Sequence, residues 1–334
     1  MSSLYSIREN KVYFALLFFG LILLLERKNM EEKTLTLRDG SSLFYRVWKV
    51  DEPKATLHLN HGMAEHSLRY DKFATFLNGK GFVVYIQDHR GHGKTKKSDE
   101  DKGWFAEEDG WNTICDDSWE LDQKIASDYP SLPHFIMGHS MGSFLTRTNL
   151  ERHSEAYRAA VIMGSGAGQG IVGKIGMKIA RSRAKKYGTK HKDEFLNNLI
   201  FGSYIKKFDW NKEGVYCWLS SIEEERKKYE EDPDCGFICS SSFYGDLIEG
   251  LETANNPELI ASIRKDLPIF FQSGDMDPVG GYGKGVAKAV DLYRKAGIKD
   301  VRVKLYKDGR HEILNDVMYD EVASDTASFL LEFV

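Results

Sequence analysis

Gly138-His139-Ser140-Met141-Gly142 is the stretch that decides how this chain is read. Before it, Pro133-His134-Phe135-Ile136-Met137 reads as a short buried strand. After it, Ser143 to Leu150 continues as a helix. Strand, sharp turn and helix together form the setting of a nucleophile elbow, which holds a serine outward on a strained turn. The flanking glycines remove Cβ atoms where strand and helix crowd together. The backbone N–H of Met141 then points toward the place where negative charge develops on a reacting carbonyl. A chain with 30 glycines produces such a pentapeptide by chance often enough that partners are required.

A serine hydroxyl needs a base to take its proton and a third group to orient that base. After an elbow of this type the partners follow in the order acid, then histidine. Downstream of Ser140 stand His153, on the helix leaving the elbow, His191, in a Lys-rich stretch, and His311. His311 lies in the polar loop Lys307 to Glu312, after the alternating strand Val301 to Tyr306, and is the expected base. The acid is expected after the preceding strand, Leu267 to Ser273, where Asp275 and Asp277 compete. Asp277 precedes Pro278, which biases it to an extended backbone, and it is assigned as the acid. Asp275 follows Gly274 and reads as structural, closing an Asx turn.

The loop His61-Gly62-Met63-Ala64-Glu65-His66 follows the apolar strand Ala55 to Asn60. Its His-Gly pair lets the backbone pass close beneath a substrate carbonyl, with the Met63 N–H as second oxyanion donor beside that of Met141. His61, Glu65 and His66 read as structural or substrate-contacting groups. A third Gly-rich loop, Asp88 to Lys94, reads as scaffold, since its histidines lack the ligand spacing of a metal site.

With these residues in view, the chain resembles the monoacylglycerol lipases and related lysophospholipases. His61-Gly62-Met63-Ala64-Glu65-His66-Ser67-Leu68-Arg69-Tyr70 is similar to their H-G-x-x-E-H-S-x-R-Y loop. Asp88-His89-Arg90-Gly91-His92-Gly93 resembles their D-x-x-G-H-G loop, with Thr95 where serine is usual. Asp128 to Pro133, the Ser140 pentapeptide, and Asp232-Pro233-Asp234-Cys235-Gly236-Phe237 also match. The resemblance runs from about Thr34 to the C-terminus. It implies an α/β-hydrolase fold, a Ser140–Asp277–His311 triad, oxyanion donors at Met63 and Met141, a cap over an acyl pocket, and no cofactor or metal. It constrains the chemistry more tightly than the substrate.

Strands expected near 35–37, 43–49, 55–60, 82–87, 133–138, 159–163, 268–273 and 301–306 alternate with helices. They imply a mostly parallel eight-stranded sheet covered on both faces. Trp111 to Tyr129 reads as one covering helix, with Trp111, Ile114, Cys115, Trp119, Leu121 and Ile125 inward. Met318 to Phe333 reads as the closing helix. Residues 166–262 interrupt the rhythm and are expected to form a helical cap over the carboxyl ends of the strands. Its start, Gly166 to Lys192, is basic and reads first as a solvated face, second as a surface for anionic lipid. Among its aromatic residues, Trp218, Phe237 and Tyr204 are candidate substrate contacts.

Net charge is −4, with 46 basic and 50 acidic residues interspersed, which argues against nucleic acid as a partner. Four cysteines (115, 217, 235 and 239) are too few for a disulfide framework and are expected as free thiols. Val12 to Leu25 is an uninterrupted apolar run, short for a membrane span and without a small-x-small cleavage site after it. Residues 1–30 therefore read as an anchor, a signal or an unused upstream start, and 31–334 as the catalytic domain. Met30 offers a natural start. The expected location is cytoplasmic, with membrane association through residues 12–25 or the basic cap; the oligomeric state stays open.

Two classes of function follow. The first is a serine hydrolase cleaving single-chain lipid esters, monoacylglycerols or lysophospholipids, through an acyl-enzyme. Its alternative on the same fold is a serine aminopeptidase, for which Glu223, Glu224 and Glu225 are the acids available to hold a free amine. The second class is a ligand-binding relative without catalysis.

Overall fold

A computed structural model describes residues 29–334. The apolar run of residues 12–25 and the choice among its three readings lie outside them. The strands are β1 (Met30–Thr36), β2 (Ser42–Trp48), β3 (Ala55–Asn60), β4 (Phe82–Gln87), β5 (His134–His139), β6 (Ala160–Met163), β7 (Ile269–Gly274) and β8 (Val301–Tyr306). The helices are α1 (Asp71–Asn78), α2 (Gly110–Asp128), α3 (Met141–His153), α4 (Ile171–Tyr187), α5 (Glu194–Phe201), α6 (Trp210–Glu213), α7 (Glu223–Glu231), α8 (Ser241–Thr253), α9 (Pro257–Ile260), α10 (Lys284–Lys295) and α11 (Tyr319–Leu331).

The strands form one sheet in the order β1-β2-β4-β3-β5-β6-β7-β8. Its first two pairings are antiparallel and the rest parallel. β3, β4, β5 and β7 are buried along their whole length, as parallel strands covered on both faces must be. The strand period of two sorts the side chains. Leu57, Leu59, Val84, Phe135, Met137 and Phe270 meet Phe73 and Leu77 of α1 and Val322 and Leu330 of α11. From the opposite face, Ile136, Ile269 and Phe271 meet Val286, Val290 and Tyr293 of α10, and Val83 and Tyr85 meet Leu121 and Ile125 of α2. This is the α/β-hydrolase fold.

One boundary differs from expectation. β1 begins at Met30, so Met30 to Thr34 form strand rather than a leader to it. These residues are mostly charged and largely exposed, because β1 is an edge strand with one neighbour, and the apolar signal that marks the central strands is missing.

Between β6 and β7 the chain builds the six helices α4 to α9. α4 lies along α8, and Phe243 and Tyr244 of α8 join Leu196 of α5 and Phe144 of α3 in one apolar cluster. The outer side of α4 leaves Ile171 78 % and Val172 71 % exposed, with Ile175 and Ile179 beside them. No helix among the described residues is long and apolar enough to cross a membrane. All four cysteines are buried and unpaired.

α3 carries a buried acid that makes stability depend on pH. Neither oxygen of Glu151 has a hydrogen-bond partner among the described residues. Burial pushes its carboxyl up to about 8 against the opposing charges of Arg147 and Arg152. The unfolded chain loses that proton near its ordinary value of 4.5, so between these limits the folded state binds one proton more. Stability therefore falls as pH rises through this window, by up to about 1.4 kcal/mol per pH unit. Glu151→Gln is expected to raise the melting temperature at pH 8 and to change it little at pH 5. An equal shift at both would contradict this assignment.

Candidate active site

Ser140 sits between β5 and α3 with φ 54° and ψ −122°, a left-handed setting unusual for a residue with a side chain. The turn is made possible by its flanks. A Cβ on Gly142 would stand 2.0 Å from the Asn60 carbonyl oxygen, and one on Gly138 would stand 2.1 Å from that of Gly142. The Ser140 N–H donates to the Met163 carbonyl at 3.0 Å, which ties the elbow to β6. Met141 opens α3, where its N–H has no acceptor within the helix.

Asp277 and His311 come together across the ends of β7 and β8. The His311 Nδ1–H donates to Asp277 Oδ1 at 2.9 Å, and both residues are buried. Asp277 also accepts from the Val279 N–H at 2.8 Å and the Ser273 hydroxyl at 3.1 Å. Burial alone would raise the Asp277 carboxyl, but the His311 charge and these hydrogen bonds outweigh it and hold it below its ordinary value. Nδ1 is thus committed to the carboxylate, and Nε2 is the ring nitrogen that this contact leaves free. No hydrogen bond joins the Ser140 hydroxyl to His311 here; such contacts commonly close only around a bound reacting group. Asp275 is elsewhere: its Oδ1 accepts from the Asp308 N–H at 2.8 Å, bracing one loop against the other.

The loop 61–66 runs beside Ser140, since a Cβ on Gly62 would stand 3.2 Å from the Ser140 Cβ. His61, Glu65 and His66 all take structural partners. The ring of His61 donates from Nδ1 to the Gly62 carbonyl and accepts the His89 N–H at Nε2. Asp88 fixes the start of its loop, accepting from Ser67 and from the Lys94 N–H. Thr95 accepts the Phe44 N–H at 2.9 Å. His66, Asp232 and Cys235 bring one potential ligand atom each within 4.8 Å, the one such group among the described residues. His66 and Asp232 are already joined at 2.9 Å, and burial pushes the Cys235 thiol well above the thiolate range. The group therefore reads as a clasp between this loop and the insertion.

A second layer, whose pairing the sequence did not show, lies around the site. Arg69 forks onto Glu312 with two bonds of 2.7 Å and reaches Glu65 at 2.7 Å. Tyr70 donates to Glu65 at 2.7 Å and lies 3.0 Å from His139 Nδ1. His139 donates from Nε2 to the His311 carbonyl at 3.2 Å. Burial would push the His139 ring down, but Glu65 reverses this and raises it. Arg69 and His139 thus face Glu65 and Glu312 in one buried, hydrogen-bonded set. Glu312 stands next to His311 in sequence, and Arg69 and Tyr70 close the quoted loop, yet nothing in spacing pairs residues 243 positions apart.

The insertion also reaches the site. The N–H groups of His311 and Glu312 donate to the carbonyls of Trp218 and Leu219. The Trp218 ring lies 5.1 Å from that of His311, with Tyr204 5.2 Å beyond it. Phe237 lies 5.4 Å from His92 and packs in the cluster that holds Met63, Met141 and Phe144. Glu223 and Glu225 are tied to Lys227 and Lys228 on the outside of α7, and Glu224 is exposed.

Comparison with known proteins agrees with this architecture. The family described as serine aminopeptidase, S33 matches residues 51–318. The chain belongs to that family. A monoacylglycerol lipase of Mycolicibacterium smegmatis is 26 % identical over 303 residues, covering 87 % of this chain and 94 % of that protein. Human monoglyceride lipase is 37 % identical over 105 residues, but this match spans only 33 % of its length. A carboxyl esterase from Bacillus coagulans superposes with a TM-score of 0.84 at 26 % identity, over 91 % of this chain and 98 % of its own. The chain is accordingly a member of this hydrolase family on an α/β-hydrolase scaffold.

Proposed function

We propose that the protein is a serine hydrolase of single-chain lipid esters, monoacylglycerols or lysophospholipids, working through an acyl-enzyme beneath a cap formed by residues 166–262. The observations that carry this reading are the Asp277–His311 hydrogen bond of 2.9 Å and a serine held at positive φ between β5 and α3. In the proposed reaction Ser140 attacks the ester carbonyl and His311 Nε2 takes its proton. Asp277 holds the ring in the required tautomer and balances its charge. The Met63 and Met141 N–H groups receive the oxyanion. His311 then protonates the leaving alcohol, and water repeats the sequence to release the acid. The lipid class is supported by the names of the relatives and by the apolar cluster of Met63, Met141, Phe144, Phe201, Phe237 and Leu251 around the oxyanion donors. Trp218, Phe237 and Tyr204 are the proposed cap contacts to substrate.

The test is a panel of p-nitrophenyl esters of increasing chain length, a monoacylglycerol, a lysophosphatidylcholine and an aminoacyl-nitroanilide. Ester turnover that depends on Ser140 supports this reading. Anilide turnover alone moves it to an aminopeptidase, against which stand the paired, outward acids of α7. Binding of a lipid without turnover of any substrate would make it a ligand carrier.

The same reading supplies a membrane surface. α4 presents Ile171, Val172 and Ile175 with exposed Lys174, Lys178, Lys185 and Lys186, while Arg183 is committed to Asp193. Apolar side chains amid lysines suit an anionic bilayer surface. The full chain carrying Ile171→Asp and Ile175→Asp is expected to sediment several-fold less with phosphatidylglycerol vesicles and to hydrolyse a soluble ester unchanged. Equal sedimentation would remove α4 from membrane contact.

A further inference from the structure

We propose that Tyr229 and the Gly236 amide of the insertion are positioning groups that lock the oxyanion loop and so set the aim of the Met63 N–H. This rests on the reading of Ser140 as the nucleophile. Ala64, the residue after Met63, sits at φ 51°, where a side chain strains the backbone. It persists only if its surroundings hold it, and they do so from both sides. Below, the Ala64 N–H donates to His92 Nε2 at 3.1 Å. His92 donates from Nδ1 to the Arg90 carbonyl at 2.9 Å, and burial pushes it down to about 3, so Nε2 stays an acceptor. Above, the Ala64 carbonyl accepts the Gly236 N–H at 2.9 Å and the Tyr229 hydroxyl at 2.9 Å.

The clamp is itself held. The Tyr229 ring lies between the edge of Tyr216 at 5.0 Å and the Arg69 guanidinium at 4.8 Å. The Tyr216 hydroxyl donates to the Gly236 carbonyl at 3.2 Å. On the near side of Met63, the Gly62 N–H is taken by Glu65 Oε1 at 2.5 Å. The amides before and after Met63 are thus committed, and its own N–H, with no acceptor among the described residues, remains for the oxyanion. A donor aimed in advance stabilises developing charge without reorganising at the moment of reaction. The insertion therefore takes part in catalysis through the backbone of Ala64 as well as covering the site.

Tyr229→Phe removes one donor to Ala64 and keeps the ring. The expected result is a fall in kcat of roughly tenfold with KM within about twofold. Affinity for a trifluoromethyl ketone of the same acyl chain should weaken by the same factor. Amide exchange in residues 61–66, followed by mass spectrometry, should quicken. A raised KM with unchanged kcat, or unchanged ketone affinity, would overturn the proposal, as would unchanged exchange. The exchange readout needs no activity, so a protein that cleaves no ester sinks the functional reading while the clamp is still tested. Tyr216→Phe removes the hydroxyl that holds the Gly236 carbonyl and leaves Tyr229 in place, so it keeps the proposal open to refutation if the Tyr229 variant does not fold. Amide exchange in residues 61–66 should quicken and kcat should fall several-fold with KM little changed; unchanged exchange or unchanged kcat would overturn the proposal.

Discussion

Ser140→Ala is expected to lower ester turnover by on the order of 10⁴- to 10⁶-fold while leaving the melting temperature nearly unchanged. The size follows from what is lost. In the proposed mechanism no acyl-enzyme forms without the hydroxyl, and His311 and the two proposed oxyanion donors are left to assist water alone. The fold has little reason to respond. Ser140 is held by its backbone, through its N–H on Met163 and the close approach of Gly142 to Asn60, and its hydroxyl satisfies no buried partner. Parallel kinetics and thermal melts check both parts. Turnover surviving at a tenth of wild type would remove Ser140 from the chemistry.

Asp277→Asn is expected to cost about 10⁴-fold in kcat with KM little changed. An amide in place of the carboxylate presents an N–H where His311 Nδ1 now finds an acceptor, so the ring is driven to the wrong tautomer and its charged form loses its balancing partner. The loss should be greatest near neutral pH. Asp275→Asn is the internal control, since its Oδ1 braces the Asp308 amide and points to no catalytic group. Its kcat should stay within a few-fold of wild type. Similar losses in both variants would mean that the assignment between the two aspartates is wrong. The Asp277 carboxyl also carries a stability consequence. Its value in the folded state lies below its ordinary one, so the stability it contributes is present above pH 4 and disappears as pH falls through the lowered value.

Much of this arrangement was legible because it is written locally. An elbow is five residues with a strand before and a helix after, and each βα loop announces itself by glycine after an apolar run. The long gap between Met163 and Ile269 revealed an insertion by its length alone. The edge strand β1 escaped in part because exposed residues obey no apolar pattern. The polar layer around the site escaped for another reason. Arg69 with Glu312, and His139 with Glu65, are buried polar pairs whose sense appears only when distant segments meet. The same holds in the core, where Asp122 of α2 joins His58 of β3 at 2.7 Å and His134 of β5 at 2.8 Å. Read alone, each is a polar residue out of place in a strand or helix. α4 was half legible: its lysines were evident, but its isoleucines became a surface feature only once α8 was seen to take the opposite side.

The central claim is that Ser140 is the nucleophile of an ester hydrolase, and covalent trapping tests it most directly. The full chain would be treated with a long-chain alkyl fluorophosphonate, digested and read by mass spectrometry, with ester turnover followed in the same sample. The account predicts one adduct per chain, on the peptide carrying Ser140, formed in step with the loss of turnover and absent from Asp277→Asn on the same time scale. An adduct on another residue, or full labelling of Ser140 with ester turnover intact, would contradict it.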